Sequence, residues 1–326
     1  MELITGENDD GRRLDRLLRK ALPDYSLPLI HRLIRQKKVL INGKPGKPDD
    51  RPAGGAKITI LSLKDKPSDN FSSDRPKAEN HNKKRLYAPD ASDQLQILWE
   101  GDGLLAVNKP AGIAVHGPDS LETAVRSYLK NKLPPSLSFK PGPLHRLDKP
   151  SSGIVVFSAG LEGARFFCAL MKEHKIKKTY TAIVEGSIKK DMLWQNELVR
   201  DKEKKKTFVS EENPDSKSAV TKIIPLAAKN GYSLIKAEIV TGRTHQIRAQ
   251  AAFHGHPLAG DVKYGGKAIA NEQFDKQFEI SNKKAVFFLH AQKLEFPKSG
   301  EPGQRSIEAP LPKEFQEMIN ALYLFI

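Results

Sequence analysis

The chain of 326 residues has a single cysteine, Cys168, so a disulfide framework and a cysteine-based zinc site are both excluded. No apolar run approaches the ~18 residues needed to span a bilayer. The first ten residues carry Glu2, Glu7, Asp9 and Asp10 where a signal peptide would be basic and then apolar. A cytoplasmic location with no membrane partner is therefore expected. No repeat of fixed period is present, which argues against a solenoid or propeller, and the usual glycine-rich nucleotide-binding loops are missing. None of His145, His245, His254, His256 and His290 has the i, i+4 spacing with an acidic partner that marks a zinc helix, so no metal is expected. Acidic residues are also in short supply, with 39 Asp and Glu against 54 Lys and Arg, a net charge of +15. Such an excess suits a partner rich in phosphate.

The length allows two domains on a soft prior of ~150 residues each. At the N-terminus, Leu14, Leu17, Leu18 and Ala21 lie at helical spacing and predict an amphipathic helix that stops before Pro23. A second helix should follow Ser26 as N-cap, with Pro28 in its first turn and Ile30, Leu33 and Ile34 on its apolar face. Val39 to Ile41 and Lys57 to Ile60 read as strands, with Asn42-Gly43 as a tight turn. Between residues 12 and 38, nine cations (Arg12, Arg13, Arg16, Arg19, Lys20, Arg32, Arg35, Lys37 and Lys38) stand against Asp15 and Asp24 alone. A charge run is usually a solvated helix face; its concentration on one small module favours an RNA-binding surface.

Residues 64–90 are nearly all polar, with Phe71, Leu86 and Tyr87 as the large apolar groups. They cannot bury enough surface to offset chain entropy, which predicts a flexible linker. The expected organisation is an N-terminal module over residues 1–62, a linker over 63–90 and a catalytic domain over 91–326.

Beyond the linker, Gln96 to Glu100 and Leu104 to Val107 predict a hairpin leading into Asn108-Lys109-Pro110. Helices are expected over 122–130, 164–174 and 244–253. Residues 178–184, 217–221, 232–240 and 286–289 read as sheet strands, and residues 187–217 as exposed strands and loops carrying many lysines. The centre of the chain is His145-Arg146-Leu147-Asp148-Lys149-Pro150-Ser151-Ser152-Gly153, which sets a carboxylate beside an arginine on a turn. It feeds the apolar strand Ile154 to Phe157. A loop anchored on a rigid strand is a common place for catalytic groups.

These nine residues resemble the H-R-L-D-x-x-[ST]-S-G signature of the RluA-type pseudouridine synthases. Further blocks follow in the order that family has: Asn108 to Gly112 with His116, Lys178-Thr179-Tyr180, and Thr241 to Arg248 (TGRTHQIR). Weaker echoes are Lys217 to Thr221 and Gly255 to Asp261, with Tyr264-Gly265 after it. The N-terminal pattern, Arg13-Leu14-Asp15 with Leu18 and then Val39 to Lys44 (VLINGK), is similar to an S4 RNA-binding domain. Lys149-Pro150 and Ser151 depart from the commoner residues after the aspartate, and Gln250 stands where the family often has histidine.

The resemblance implies an α/β (α+β) fold with a long mixed, largely antiparallel sheet and a central cleft, plus a small α+β S4 module. It implies conversion of uridine to pseudouridine in structured RNA without a cofactor. Large-subunit ribosomal RNA is the expected substrate, and a monomer the expected state. The alternatives are a transfer RNA pseudouridine synthase and a non-catalytic S4-type RNA-binding or ribosome-assembly protein. By the same resemblance Asp148 is the catalytic carboxylate, Tyr180 stacks on the target base, and Arg243 pairs with Asp148. Arg146 fills the space vacated by the flipped base, and Ile247 gives an apolar wall opposite Tyr180. His145, Lys109 and Arg248 complete the substrate-binding set, and Arg12, Arg13, Arg16, Arg32, Arg35, Lys37 and Lys38 form the RNA face of the S4 module. Whether Asp148 bonds to the sugar C1′, adds to uracil C6 or takes a sugar proton to give a glycal stays open.

Overall fold

The computed structural model describes residues 1–61, 95–269 and 287–324. The first segment forms a small α+β unit. Strands β1 (Glu2–Ile4), β2 (Val39–Ile41), β3 (Lys44–Pro45) and β4 (Lys57–Ile60) make an antiparallel sheet in the order β1-β4-β2-β3. Helices α1 (Leu14–Ala21) and α2 (Leu27–Arg35) cover it. Both helices form where periodicity and capping predict, and the Ser26 hydroxyl accepts from the Leu29 amide at the start of α2. Leu14, Leu17, Leu18, Ile30, Leu33 and Ile34 meet Val39, Ile58 and Ile60 in one core. Strands β1 and β3, with three and two residues, have no readable alternation in the sequence and were not expected.

The second unit is built on a ten-stranded sheet. Its strands are β5 (Gln96–Gly101), β6 (Leu104–Lys109), β7 (Ser152–Ser158), β8 (Lys177–Glu185), β9 (Met192–Asp201), β10 (Lys206–Val209), β11 (Lys217–Lys229), β12 (Tyr232–Ile239), β13 (Leu289–Pro297) and β14 (Gln304–Glu308). The order is β10-β9-β11-β12-β8-β13-β7-β6-β5, with β14 paired to β13. Every pairing is antiparallel except β13 with β7, so the sheet is mixed and largely antiparallel.

Helix α3 (Leu121–Leu129) packs on one face against Leu105, Val107, Val155 and Phe157. Helix α4 (Leu161–Lys172) packs on the other against Leu104, Ala106, Ile154 and Val156. The alternation of β6 and β7 between the two cores is the period-two rule for a strand buried on both faces. Helix α5 (Gln246–Phe253) joins the first face through Ile247 and Ala251. The last helix, α6 (Lys313–Ala321), covers Ile183, Leu234 and Phe288.

Residues 187–217 are less exposed than their composition suggests. Strand β9 lies between β10 and β11 and alternates over its first half, with Trp194 and Asn196 buried and Leu193 and Gln195 exposed, before Leu198 and Val199 are both buried. Residues 287–288 precede β13 instead of opening it, and α5 begins at Gln246 rather than Thr244. The predicted linker, 63–90, lies outside the described residues. The N-terminal unit itself is seated on the second one, and Leu137 packs against its core.

Candidate active site

One cross-strand row organises the site: Lys109 of β6, Gly153 of β7, Ala291 of β13 and Tyr180 of β8 lie in register. Gly153 has φ +109°, and a Cβ there would stand 2.3 Å from the Ala291 carbonyl oxygen. Only glycine allows β13 to approach so closely. Asp148 occupies the turn that enters β7, and three bonds fix that turn. The Ser151 amide donates to the Asp148 carbonyl, while the Lys149 carbonyl accepts from the Gly112 amide and the Lys109 ammonium.

Lys109 is fully buried and spends its three donors on the carbonyls of Pro110, Ile113 and Lys149. Burial brings its pKa down to about 7, despite the charge of Asp148 nearby. It is expected among the substrate contacts; in the structure all its donors are taken up at the Asp148 turn. His145, expected in the same set, is likewise engaged internally. Its Nε2 accepts from the Val156 amide and its ring stacks on Phe167. Burial, aided by the charge of Lys178, lowers it to about 3, so it is neutral and locks the motif to β7. Arg146 points the other way, exposed and without an internal partner among the described residues, while Leu147 turns into the core.

Asp148 keeps 17% side-chain exposure and takes its ion pair from Arg248, not from Arg243. Arg248 Nη1 donates to Asp148 Oδ2 at 2.8 Å. Its Nε and Nη2 donate to the two oxygens of Asp261 at 2.6 and 2.8 Å, a fork on a carboxylate that is 1% exposed. The guanidinium lies over the rings of Tyr264 and Phe287, 4.7 and 4.4 Å from their centroids. Burial alone would lower the Arg248 pKa, but Asp261 and then Asp148 hold it above its ordinary value. Arg243 lies exposed in the turn after β12, and its Nε donates to the Ser218 carbonyl of β11. Because α5 starts at Gln246, the inward-facing arginine of the block is the later one.

His245 precedes α5 in the left-handed region (φ +56°). Its Nδ1 faces two donors, the Tyr264 hydroxyl at 2.7 Å and Arg200 Nη1 at 3.3 Å. The Tyr264 oxygen in turn accepts from the Thr207 amide. Nδ1 must therefore be the acceptor, which leaves the proton on Nε2, 3.6 Å from Asp148 Oδ1. Burial first, with Arg248 and Arg200 adding, outweighs the pull of Asp148 and lowers His245 to about 4. Asp148 thus has a cation on Oδ2 and a neutral N–H facing Oδ1.

Tyr180 is buried in one apolar cluster with Leu147, Ile247 and Ala291. Burial and then the charge of Asp148 push its hydroxyl pKa upward, so it is a neutral phenol. Gln250, which stands where the family often has histidine, is fully buried. It donates to Trp194, Asn196 and Ala219 and accepts from Thr221, pinning α5 to β9 and β11. Asp261, Tyr264, His245 and Arg200 were not predicted. The first three carried a signal, in the Gly255 to Asp261 echo with Tyr264 and in the TGRTHQIR block; Arg200, in β9, carried none.

On the N-terminal unit, Arg16, Arg32, Arg35 and Lys37 are exposed and Lys38 is half-buried. Arg13 is instead paired with Asp15, and Arg12 donates to the Ser138 carbonyl of the second unit. Among the described residues, no three His, Cys, Asp or Glu side chains converge as a metal site, and no helix is long and apolar enough to cross a membrane.

A long mixed sheet carries near its centre an aspartate that keeps 17% side-chain exposure and an arginine held behind it, and the chain is an RNA-modifying isomerase of the pseudouridylate synthase class. Residues 103–253 match the family model for RNA pseudouridylate synthase and residues 12–58 that for the S4 domain. The chain belongs to the RluA-type RNA pseudouridine synthases, enzymes that isomerise uridine to pseudouridine. It is 32% identical over 320 residues to ribosomal large subunit pseudouridine synthase D of Neisseria meningitidis serogroup A, covering 96% of this chain and 79% of that one. It is 31% identical over 302 residues to ribosomal large subunit pseudouridine synthase C of Haemophilus influenzae, covering 92% and 88%. In fold it is similar to human RNA pseudouridylate synthase domain containing 4, with a TM-score of 0.60 at 22% identity over 73% of this chain and 97% of that one.

Proposed function

We propose that the chain forms pseudouridine at defined positions of large-subunit ribosomal RNA, with Asp148 as the catalytic carboxylate. The observation that carries this reading is the asymmetric setting of Asp148. Its Oδ2 is held by a buried arginine that cannot turn away, because Asp261 takes the rest of its fork. Oδ1 lies 3.6 Å from Nε2 of a neutral His245. A carboxylate with one oxygen restrained and the other left without a charged partner is what an attack on the sugar or base, or removal of a sugar proton, requires.

In the reaction the C1′–N1 bond breaks, the uracil turns, and a C1′–C5 bond forms. C5 loses its proton, N1 gains one, and no electrons leave the system. Uridine must first leave its stack, at a cost of a few kcal/mol. Arg146, exposed beside Asp148, would occupy the vacated space. Tyr180 supplies a face for stacking and Ile247 an apolar neighbour for the ring. Arg16, Arg32, Arg35, Lys37 and Lys38 would hold phosphates of the same RNA. The names of the relatives favour the ribosomal substrate.

The test is tritium release from C5-labelled uridine in unmodified large-subunit RNA, comparing wild type with Asp148→Asn. Release by wild type alone, with RNA binding kept by both, is the expected result. Release from transfer RNA but not from ribosomal RNA would replace the substrate. Release by the Asp148→Asn protein at the wild-type rate would remove Asp148 from its role.

A further inference from the structure

The seam between the two units is built more closely than a tethered module needs. Asp9, at the end of a 3-10 turn (Glu7–Asp9), is fully buried and accepts five hydrogen bonds. One comes from Gly6 of its own unit. Four come across the seam, from the Ser136 hydroxyl at 2.7 Å, the Leu137 amide at 2.7 Å, and the Ser138 amide and hydroxyl at 2.9 and 2.6 Å. Burial alone would raise the Asp9 pKa, but these donors bring it below the ordinary value. Asn8 Oδ1 accepts from the Leu161 amide, the first free donor of α4. A Cβ on Gly6 would stand 1.9 Å from the Pro135 carbonyl oxygen, although the Gly6 backbone (φ −93°) suits any residue. The glycine is demanded by the close approach of the second unit, not by its own conformation.

A buried carboxylate that finds four of its five donors only in the docked state, and a side chain that must be missing for docking, make this arrangement specific rather than incidental. Leu137 adds an apolar contact to the N-terminal core. We propose that Asp9 and Gly6 are specificity-determining positioning residues. They fix the basic face of the N-terminal unit at a set distance and angle from Asp148, so that a uridine is chosen by where it lies relative to an RNA element held on that face. This rests on the RNA-modifying reading given above. It adds that target choice is measured by a rigid body instead of by a tether.

Two variants open the seam from opposite sides. Gly6→Ala wedges it from the N-terminal unit, and the double variant Ser136→Ala/Ser138→Ala removes donors from the other. Hydrogen exchange of the Leu137, Ser138 and Leu161 amides should speed by about a hundredfold, the protection removed when a buried bonded amide reaches water. Amides of α1 and α2 should keep their protection, which shows that the N-terminal unit stays folded. With unmodified large-subunit transcript, KM should rise about tenfold as the effective concentration of the second contact falls. The kcat should be unchanged, and uridines outside the wild-type set should become modified. On a short hairpin carrying one wild-type target and nothing for the N-terminal face, wild type and variants should be equal.

Unaltered exchange in both variants would mean that the seam is not closed in solution. Open seams with wild-type KM and site choice on the long RNA would overturn the specificity role. If wild type modifies transfer RNA and not ribosomal RNA, the substrate reading fails. The same long-against-short comparison is then read on transfer RNA and its fragments.

Discussion

Replacing Asp261 by asparagine should damage catalysis more than stability, and the structure sets both sizes. Arg248 and Asp261 are both buried and share two short bonds, so removing one partner would by itself cost ~3–5 kcal/mol. Asparagine keeps one acceptor, and Arg248 retains Asp148 as counter-charge at 2.8 Å. The loss should therefore shrink to about 2–3 kcal/mol, or a fall in melting temperature of roughly 5–10 °C in a chain of this size. The kinetic effect follows from geometry. With Asp261 no longer holding the fork, the guanidinium can rotate and take both oxygens of Asp148, so neither is presented to the ribose or base. Displacements of about 1 Å at a reacting group cost on the order of a hundredfold.

The assay is single-turnover tritium release at a temperature where circular dichroism shows the variant fully folded, with RNA binding measured separately. Arg248→Lys, alone and with Asp261→Asn, completes a cycle whose coupling should be about 1–3 kcal/mol, because lysine cannot fork. A wild-type single-turnover rate for the folded Asp261→Asn protein would refute the reasoning. So would additive effects in the cycle.

Gly153→Ala should cost ~3 kcal/mol or more, combining a left-handed backbone with a Cβ driven into the Ala291 carbonyl; a melting temperature within about 2–3 °C of wild type would contradict the packing of β7 on β13. The pKa of Lys109 is lowered to about 7 in the folded state, so between about 7 and 10.5 the unfolded chain binds more protons and stability rises with pH. The gain approaches ~1.4 kcal/mol per pH unit, and it should be missing from Lys109→Met in parallel denaturation series at about pH 7, 8 and 9. His245, lowered to about 4, should add a separate gain in stability between about pH 4 and 6.5, absent in His245→Gln. Charge reversal at Arg32, Arg35 and Lys37 should reduce the slope of log binding constant against log salt by about 0.7–0.9 for each phosphate no longer neutralised, and an unchanged slope would remove those residues from the RNA face.

The parts of the fold that were legible in the sequence are those in which one strong local signal decides. The apolar stripe of α1 and the Ser26 cap of α2 need no tertiary partner to be recognised. Strand β9 failed that condition. Its inward positions include Asn196, which is buried because Gln250 and His254 of the α5 region bond to it, and a polar residue counted from sequence reads as outward-facing. Charge counting failed in the same way just ahead of α1. Arg12 and Arg13 add to the basic total, yet Ser138 and Asp15 already use them.

The candidate site divides along the same line. Asp148 was legible because its motif is long and leads into a buried strand. The identity of its partner was not, because Arg243 and Arg248 share one block and only the start of α5 decides which of them turns inward. Motif residues that touch substrate and those that merely hold them in place look alike in a sequence. In HRLD Leu147 is buried and His145 accepts from the Val156 amide, so those two fasten, while Arg146 is exposed and Asp148 keeps 17% side-chain exposure. Lys109, polar and charged, reads as a substrate contact; three carbonyls and full burial take up all its donors at the Asp148 turn. Burial therefore separates the two roles, and burial depends on strands distant in sequence. The tightest contact to the candidate catalytic carboxylate comes from 100 residues downstream and is itself held by Asp261, 13 residues further on.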